Sequence, residues 1–126
     1  MRDWLHVDDH CSAIELVLRE GQPGEVYNVA ANEEHENVEL AHSIIDHLGV
    51  DSSLIRNVED RAGHDRRYSL DTSKLRALGW EPRREWEKGI RATIDWYRDN
   101  RDWWEPIKRS GGFRAYYEQQ YAARLA

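Results

Sequence analysis

Trp86, Ile90, Thr93, Ile94 and Tyr97 recur at intervals of three and four residues, the spacing at which side chains share one face of an α-helix. The pattern predicts a long amphipathic helix over 85–100, whose apolar face has to be buried against another element. Leu40, Ala41, Ile44, Ile45 and Leu48 form a second such face, with Asn37 as the cap and Gly49 as the stop. Near the amino terminus, Asp8 or Asp9 can cap a third helix that places Cys11, Ile14, Val17 and Leu18 on its apolar side. Between these lie only short strand candidates: "RDWLHV" as an extended segment, "EVYNV" at 25–29 and "LIRNV" at 54–58. Asp71 is placed to cap a short helix that Gly79 ends, "GWEP" turns the chain, and a helical tail after residue 100 is broken at "SGG". The expected fold class is α/β, mixed and helix-rich, with few short strands and about five helices in a single domain over 1–126.

A third of the residues are charged and the mean hydropathy is −0.89, yet six Trp and six Tyr supply large apolar surfaces that a disordered chain lacks. The length of 126 residues suits one core and is too short for a cofactor domain beside a substrate domain. A net charge of −6 opposes bulk attraction to a phosphate polymer. No nucleic-acid partner is therefore expected, and affinity for phosphate would have to come from a local cluster of arginines. A single cysteine, Cys11, excludes an intrachain disulfide, and no apolar run approaches the roughly 20 residues that span a bilayer. These features point to a cytoplasmic protein without a membrane partner. The opening "MRDWLHVDDH" has neither the basic nor the apolar region of a signal peptide.

Neither G-x-G-x-x-G nor G-x-x-x-x-G-K-[ST] occurs, so no phosphate cradle at a strand-to-helix turn is expected, and no Tyr is followed four places later by Lys. His6 and His10 are four apart but lack a third ligand at suitable spacing, which argues against a metal. Asp8 and Asp9 are expected to stabilise a helix start, Cys11 to be an inert core thiol, and Trp103 and Trp104 to be core or contact residues. One stretch, "RAGHDRRYSLD" at 61–71, gathers residue types suited to one task. Gly63 allows close backbone approach, Arg61 offers a planar donor fork, and His64 can bond a hydroxyl or phosphate. On spacing alone, a solvated basic loop neutralised by Glu59, Asp60 and Asp65 remains an equal reading.

Four segments, "RDWLHVDDH" at 2–10, "GEVYNVAA" at 24–31, "DRAGHDRRYSLD" at 60–71 and "LGWEP" at 78–82, resemble in order and spacing the carboxyl-terminal part of the dTDP-glucose 4,6-dehydratases. These are extended short-chain dehydrogenase/reductases, and the tail "SGGFRAYYEQQY" at 110–121 resembles their final segment. "RDW" and "LGW.P" are shared across many sugar-nucleotide enzymes, whereas R-x-G-H-D-x-R-Y is more specific; Ala62 stands where proline is usual. The resemblance implies the substrate-binding portion of a Rossmann-type enzyme. Arg2 would contact the nucleotide diphosphate, Asn28 would reach the ligand, and Asp60, Arg61, Ala62, Gly63 and His64 would form the substrate loop. Arg61 would pair with phosphate, His64 would touch the nucleotide portion, and Tyr121 would close over the diphosphate. The family's reaction removes water across C5 and C6 of the hexose, with NAD oxidising C4 and returning hydride at C6. The NAD-binding Rossmann domain and the acid/base residues have no counterpart in this sequence, so no catalytic residue, no bound NAD and no turnover are expected of the chain alone. A dTDP-sugar is the implied partner. The "EVYNV" strand and the first helix would lack their sheet, which predicts a homo-oligomer, a domain swap or local disorder. A UDP-sugar epimerase or decarboxylase, and a non-catalytic binding or assembly module, are the alternatives.

Overall fold

The computed structural model describes residues 1–58, 60 and 63–125. The amphipathic segment predicted over 85–100 forms α4, Trp86–Asp99, flanked by Glu85 and Asn100. It packs against α2, Asn37–Leu48, burying Ile45 and Ile94, and His47 Nε2 meets Asp95 Oδ1 across the seam at 2.8 Å. A capping box starts α2: the Glu36 carboxylate faces the backbone at Glu39, and Glu39 Oε2 accepts the Glu36 N–H at 2.7 Å. Glu36 is thus the cap, and Asn37 is the first helical residue instead. Gly49 ends α2 at φ 64°, with its N–H turned back to the Asp46 and Ile45 carbonyls.

The first helix, α1, spans Val7–Glu20 and is capped by His6, whose Nδ1 accepts the Asp8 N–H at 3.1 Å. Asp9 is buried instead of capping, and its two oxygens accept the Arg83 and Arg84 N–H groups at 3.1 and 3.0 Å. Ala13, Leu16 and Val17 turn the same way, into a core built with Leu75, Trp80, Leu5 and Val29. Trp80 Nε1 donates to Ser12 Oγ at 2.9 Å, which satisfies the indole inside that core. The helix carries a second apolar stripe, Val7, Cys11, Ile14 and Leu18, and this one faces solvent, with Leu18 85% exposed. The expected apolar face is therefore corrected at Ile14, Leu18 and Cys11, which is no core thiol, while Val17 does pack on the core as expected. Once Asp9 anchors the 83–84 turn, the stripe one-third of a turn away has to point outward.

The two strands are two residues each. In β1, Arg2–Asp3, Arg2 lies opposite His35 and Asp3 opposite Glu34 of the antiparallel β2, Glu34–His35. Neither "EVYNV" nor "LIRNV" forms a strand. Leu54 closes a short 3-10 turn, Ser52–Leu54, and residues 25–29 pair with no strand among the described residues. A strand exists only as one side of a ladder, and Val26, 77% exposed, faces no neighbour of that kind.

The short α3, Ser73–Arg76, starts where Asp71 Oδ1 accepts the Ser73 N–H, and its exit turn closes at Gly79. After α4, helix α5, Arg101–Arg109, and helix α6, Gly111–Leu125, meet at Ser110 and pack on each other. Among the described residues there are six α-helices and one two-stranded sheet.

Candidate functional site

The site is assembled around β1. The Asp3 carboxylate accepts the backbone N–H groups of Ala31, Asn32 and Glu33 at 3.1, 3.1 and 3.3 Å. Those donors converge because Asn32 is left-handed, at φ 62°, and its side chain is held by Thr72 Oγ1 and the Leu70 carbonyl. This turn fixes β1 against β2. The 64–70 loop is then laid alongside: the Met1 ammonium donates to the Arg66 carbonyl at 2.8 Å, and the Tyr68 N–H donates to the Met1 carbonyl at 3.2 Å. Arg67 forks onto both oxygens of Glu34, each at 2.6 Å. Those bonds, with a further one from Ser69, lower the Glu34 carboxyl to a pKa of about 2.

Two residues 62 apart in sequence thereby meet. Arg2 Nη2 lies 2.8 Å from His64 Nε2, and Arg2 Nη1 donates to the Met1 carbonyl at 2.7 Å. The guanidinium sits over the Tyr68 ring, 4.3 Å from its centroid, and the Tyr68 hydroxyl donates to Asp65 Oδ2 at 2.6 Å. His64 Nδ1 lies 2.6 Å from Asp60 Oδ1. Since a guanidinium has donors only, His64 Nε2 accepts and Nδ1–H donates to Asp60. The cluster opens on a cleft of about 360 Å³ lined by Met1, Arg2, Asn37, Asp60, His64, Asp65 and Arg66. Gly63, at φ 71°, gives the loop the left-handed step just before His64.

Of the residues singled out from sequence, Arg2, Asp60, Gly63 and His64 come together here. Asn28 lies elsewhere on the same loop's path, its Nδ2 donating to the Asp71 carbonyl at 3.1 Å. The Tyr121 ring is tilted against that of Tyr117 within α6, centroids 4.9 Å apart, and does not line the cleft. Arg61 and Ala62 lie outside the described residues. Asn37, Asp65 and Arg66 line the cleft without having been singled out as ligand-facing; the sequence signal for Asp65 and Arg66 is their place in the 61–71 stretch, and for Asn37 its position at a predicted helix start. Among the described residues, no group of three or more His, Cys, Asp or Glu is placed to hold a metal, and no helix is long and apolar enough to cross a membrane. Trp103 stands edge-on to Trp96 at 5.2 Å, and Trp104 Nε1 donates to the Tyr97 carbonyl at 2.8 Å.

Comparison with known proteins gives a consistent outcome. The chain is 51% identical over 110 residues to the dTDP-glucose 4,6-dehydratase of Streptomyces antibioticus, a match that takes in 86% of this chain and 33% of that protein. A dTDP-glucose 4,6-dehydratase of Escherichia coli K12 is 42% identical over 98% of this chain and 36% of its own length. Among solved structures, DesIV of Streptomyces venezuelae, a dTDP-glucose 4,6-dehydratase with NAD and TYD bound, superposes with a TM-score of 0.78 at 48% identity, covering 84% of this chain and 33% of that one. The chain thus spans about a third of the length of the curated relatives it matches, and its fold is that of the carboxyl-terminal part of these Rossmann-type dehydratases. The model of the family described as GDP-mannose 4,6 dehydratase matches residues 1–93, about three quarters of the sequence, and the chain belongs to that family.

Proposed function

We propose that the chain is the nucleotide-sugar-binding portion of a dTDP-glucose 4,6-dehydratase, an enzyme that converts dTDP-glucose to its 4-keto-6-deoxy product and water. The observation that carries this reading is the Arg2–His64–Asp60 cluster, which places a forked cation and an oriented imidazole at the mouth of an open cleft. In this reading the Arg2 fork binds diphosphate oxygens, Arg61 adds a second fork, and Gly63 lets the backbone approach. Asn28 and Tyr121 contact the ligand only after moving from their present partners, the Asp71 carbonyl and Tyr117. The high identity to named dTDP-glucose dehydratases supports dTDP over UDP or GDP as the nucleotide.

The residues present do not fit NAD. The sequence has no glycine-rich strand-to-helix turn, and the sheet among the described residues is one antiparallel pair. NAD belongs to the remaining two thirds of the enzyme, and the 126-residue chain is inactive by itself. Self-association is expected, because Val7, Ile14, Leu18 and Val26 are 53–85% exposed. A reducing, cytoplasmic setting suits a lone exposed thiol.

Calorimetric titration of the 126-residue chain with dTDP-glucose, UDP-glucose and GDP-mannose tests the reading. It predicts a preference for dTDP-glucose, at least about tenfold weaker binding in Arg2→Ala, and no 4-keto-6-deoxy product. Absence of nucleotide-sugar binding refutes the site; product formation refutes the inactivity.

A further inference from the structure

We propose that a diphosphate enters this cleft together with one proton, taken from solvent by His64 Nε2. The inference rests on the nucleotide-sugar reading of the site and adds a linkage between ligand and pH. Arg2 Nη2 points a donor at His64 Nε2, at 2.8 Å, and Asp60 accepts from Nδ1, at 2.6 Å, so the geometry leaves a lone pair on Nε2 and the ring proton on Nδ1. Each terminal nitrogen of Arg2 commits one N–H, one toward His64 and one on the Met1 carbonyl, so turning the full fork onto an anion gives up the His64 contact. A diphosphate diester offers acceptors only. When Arg2 swings to the anion, Nε2 is left presenting a lone pair to phosphate oxygens.

That contact is repulsive until Nε2 is protonated. One N–H bond then forms with a proton from solvent, the Arg2-to-His64 hydrogen bond is lost, and an N–H···O–P bond replaces it. The imidazolium would stand between Asp60 and the dianionic diphosphate, which together favour its charge. Among the described residues, the other charged groups that line the cleft are Arg2 from β1, Asp65 and Arg66 from the loop, and the Met1 ammonium; α2 contributes the neutral Asn37. With Asp60 counted, three cations and two anions line the cleft, and the two negative charges of the ligand turn that balance toward uptake.

The probe is dTDP-glucose, whose diphosphate is a diester and lacks the second phosphate ionisation near pH 6, so every proton counted belongs to the protein. Calorimetry at about pH 7.5 in Pipes and Tris, which differ in ionisation enthalpy, should give close to one proton taken up per ligand bound, with affinity falling about tenfold per pH unit above that. His64→Gln should bind more weakly with uptake near zero and no pH slope, and Asp60→Asn should move the steep region to lower pH. Nitrogen-15 shifts of His64 should pass from the Nδ1–H tautomer to imidazolium on saturation, which tests the proposal even if the Gln variant binds too weakly to titrate. Binding without uptake, or uptake that persists in His64→Gln, overturns the proposal and leaves the nucleotide-sugar reading intact. A wild-type chain that binds no dTDP-glucose overturns both.

Discussion

Replacing Asp3 by Asn tests whether this one carboxylate holds β1 and the 31–33 turn together. Oδ1 accepts from Ala31 and Glu33, and Oδ2 accepts from Asn32. In its better orientation an amide keeps the Oδ1 pair with a neutral acceptor and points an N–H₂ at the Asn32 N–H. One charge-assisted bond is lost and two are weakened, for a cost of about 2–3 kcal/mol. At this chain length that corresponds to a fall in Tm of about 10 °C. Thermal unfolding followed by circular dichroism gives the energy, and amide exchange at Ala31, Asn32 and Glu33 shows where it is lost. Arg2 is the next residue along the strand, so dTDP-glucose affinity should fall with it. A change in stability below about 0.5 kcal/mol, with those three amides still protected, would refute the reasoning, since it would mean that the turn stands without its acceptor.

Three further outcomes follow from the same structure. Glu34 is depressed in the folded state to about 2, so the Arg67 clamp contributes stability above the ordinary glutamate range that is lost as pH falls from about 4.5 toward 2; the slope of Tm against pH over that interval should flatten in Arg67→Gln. Gly49→Ala meets no atom within 4 Å but must adopt φ 64°, so it should destabilise by about 1 kcal/mol through backbone conformation alone, measured by urea unfolding. Cys11 should react in the folded chain with a maleimide at the rate of a free thiol, and protection that grows with protein concentration would instead show a second copy covering the outer stripe of α1.

The helices were legible to the degree that their periodicity had a single solution. For α4, one apolar face and polar flanks at both ends fix the limits to within a residue of 85–100. In α1 the sequence carries two apolar stripes, and periodicity cannot choose between them; the choice is made by Asp9 reaching residues more than seventy positions away. Residues 25–29 have strand composition but no ladder, whereas Glu34 and His35 have little strand character and are paired because Asn32 turns them onto β1. The site shows the same division. Gly63, Arg61 and His64 stand out locally as an anion-binding set, but nothing local says that Arg2 meets His64, and only the likeness to a known family joined them in advance. Asn37 stayed hidden because a residue at a helix start has a sufficient structural explanation without a ligand.

Met1 is sewn into the cleft by both of its backbone ends, its ammonium on Arg66 and its carbonyl between Arg2 and Tyr68. Any polypeptide joined ahead of it, whether a purification tag or the rest of an enzyme, would change that ammonium to an amide and issue directly from the wall of the cleft. A segment joined at this end would therefore remove one positive charge from the cleft and shape its wall directly, so the cleft's affinity for an anion depends on what precedes Met1.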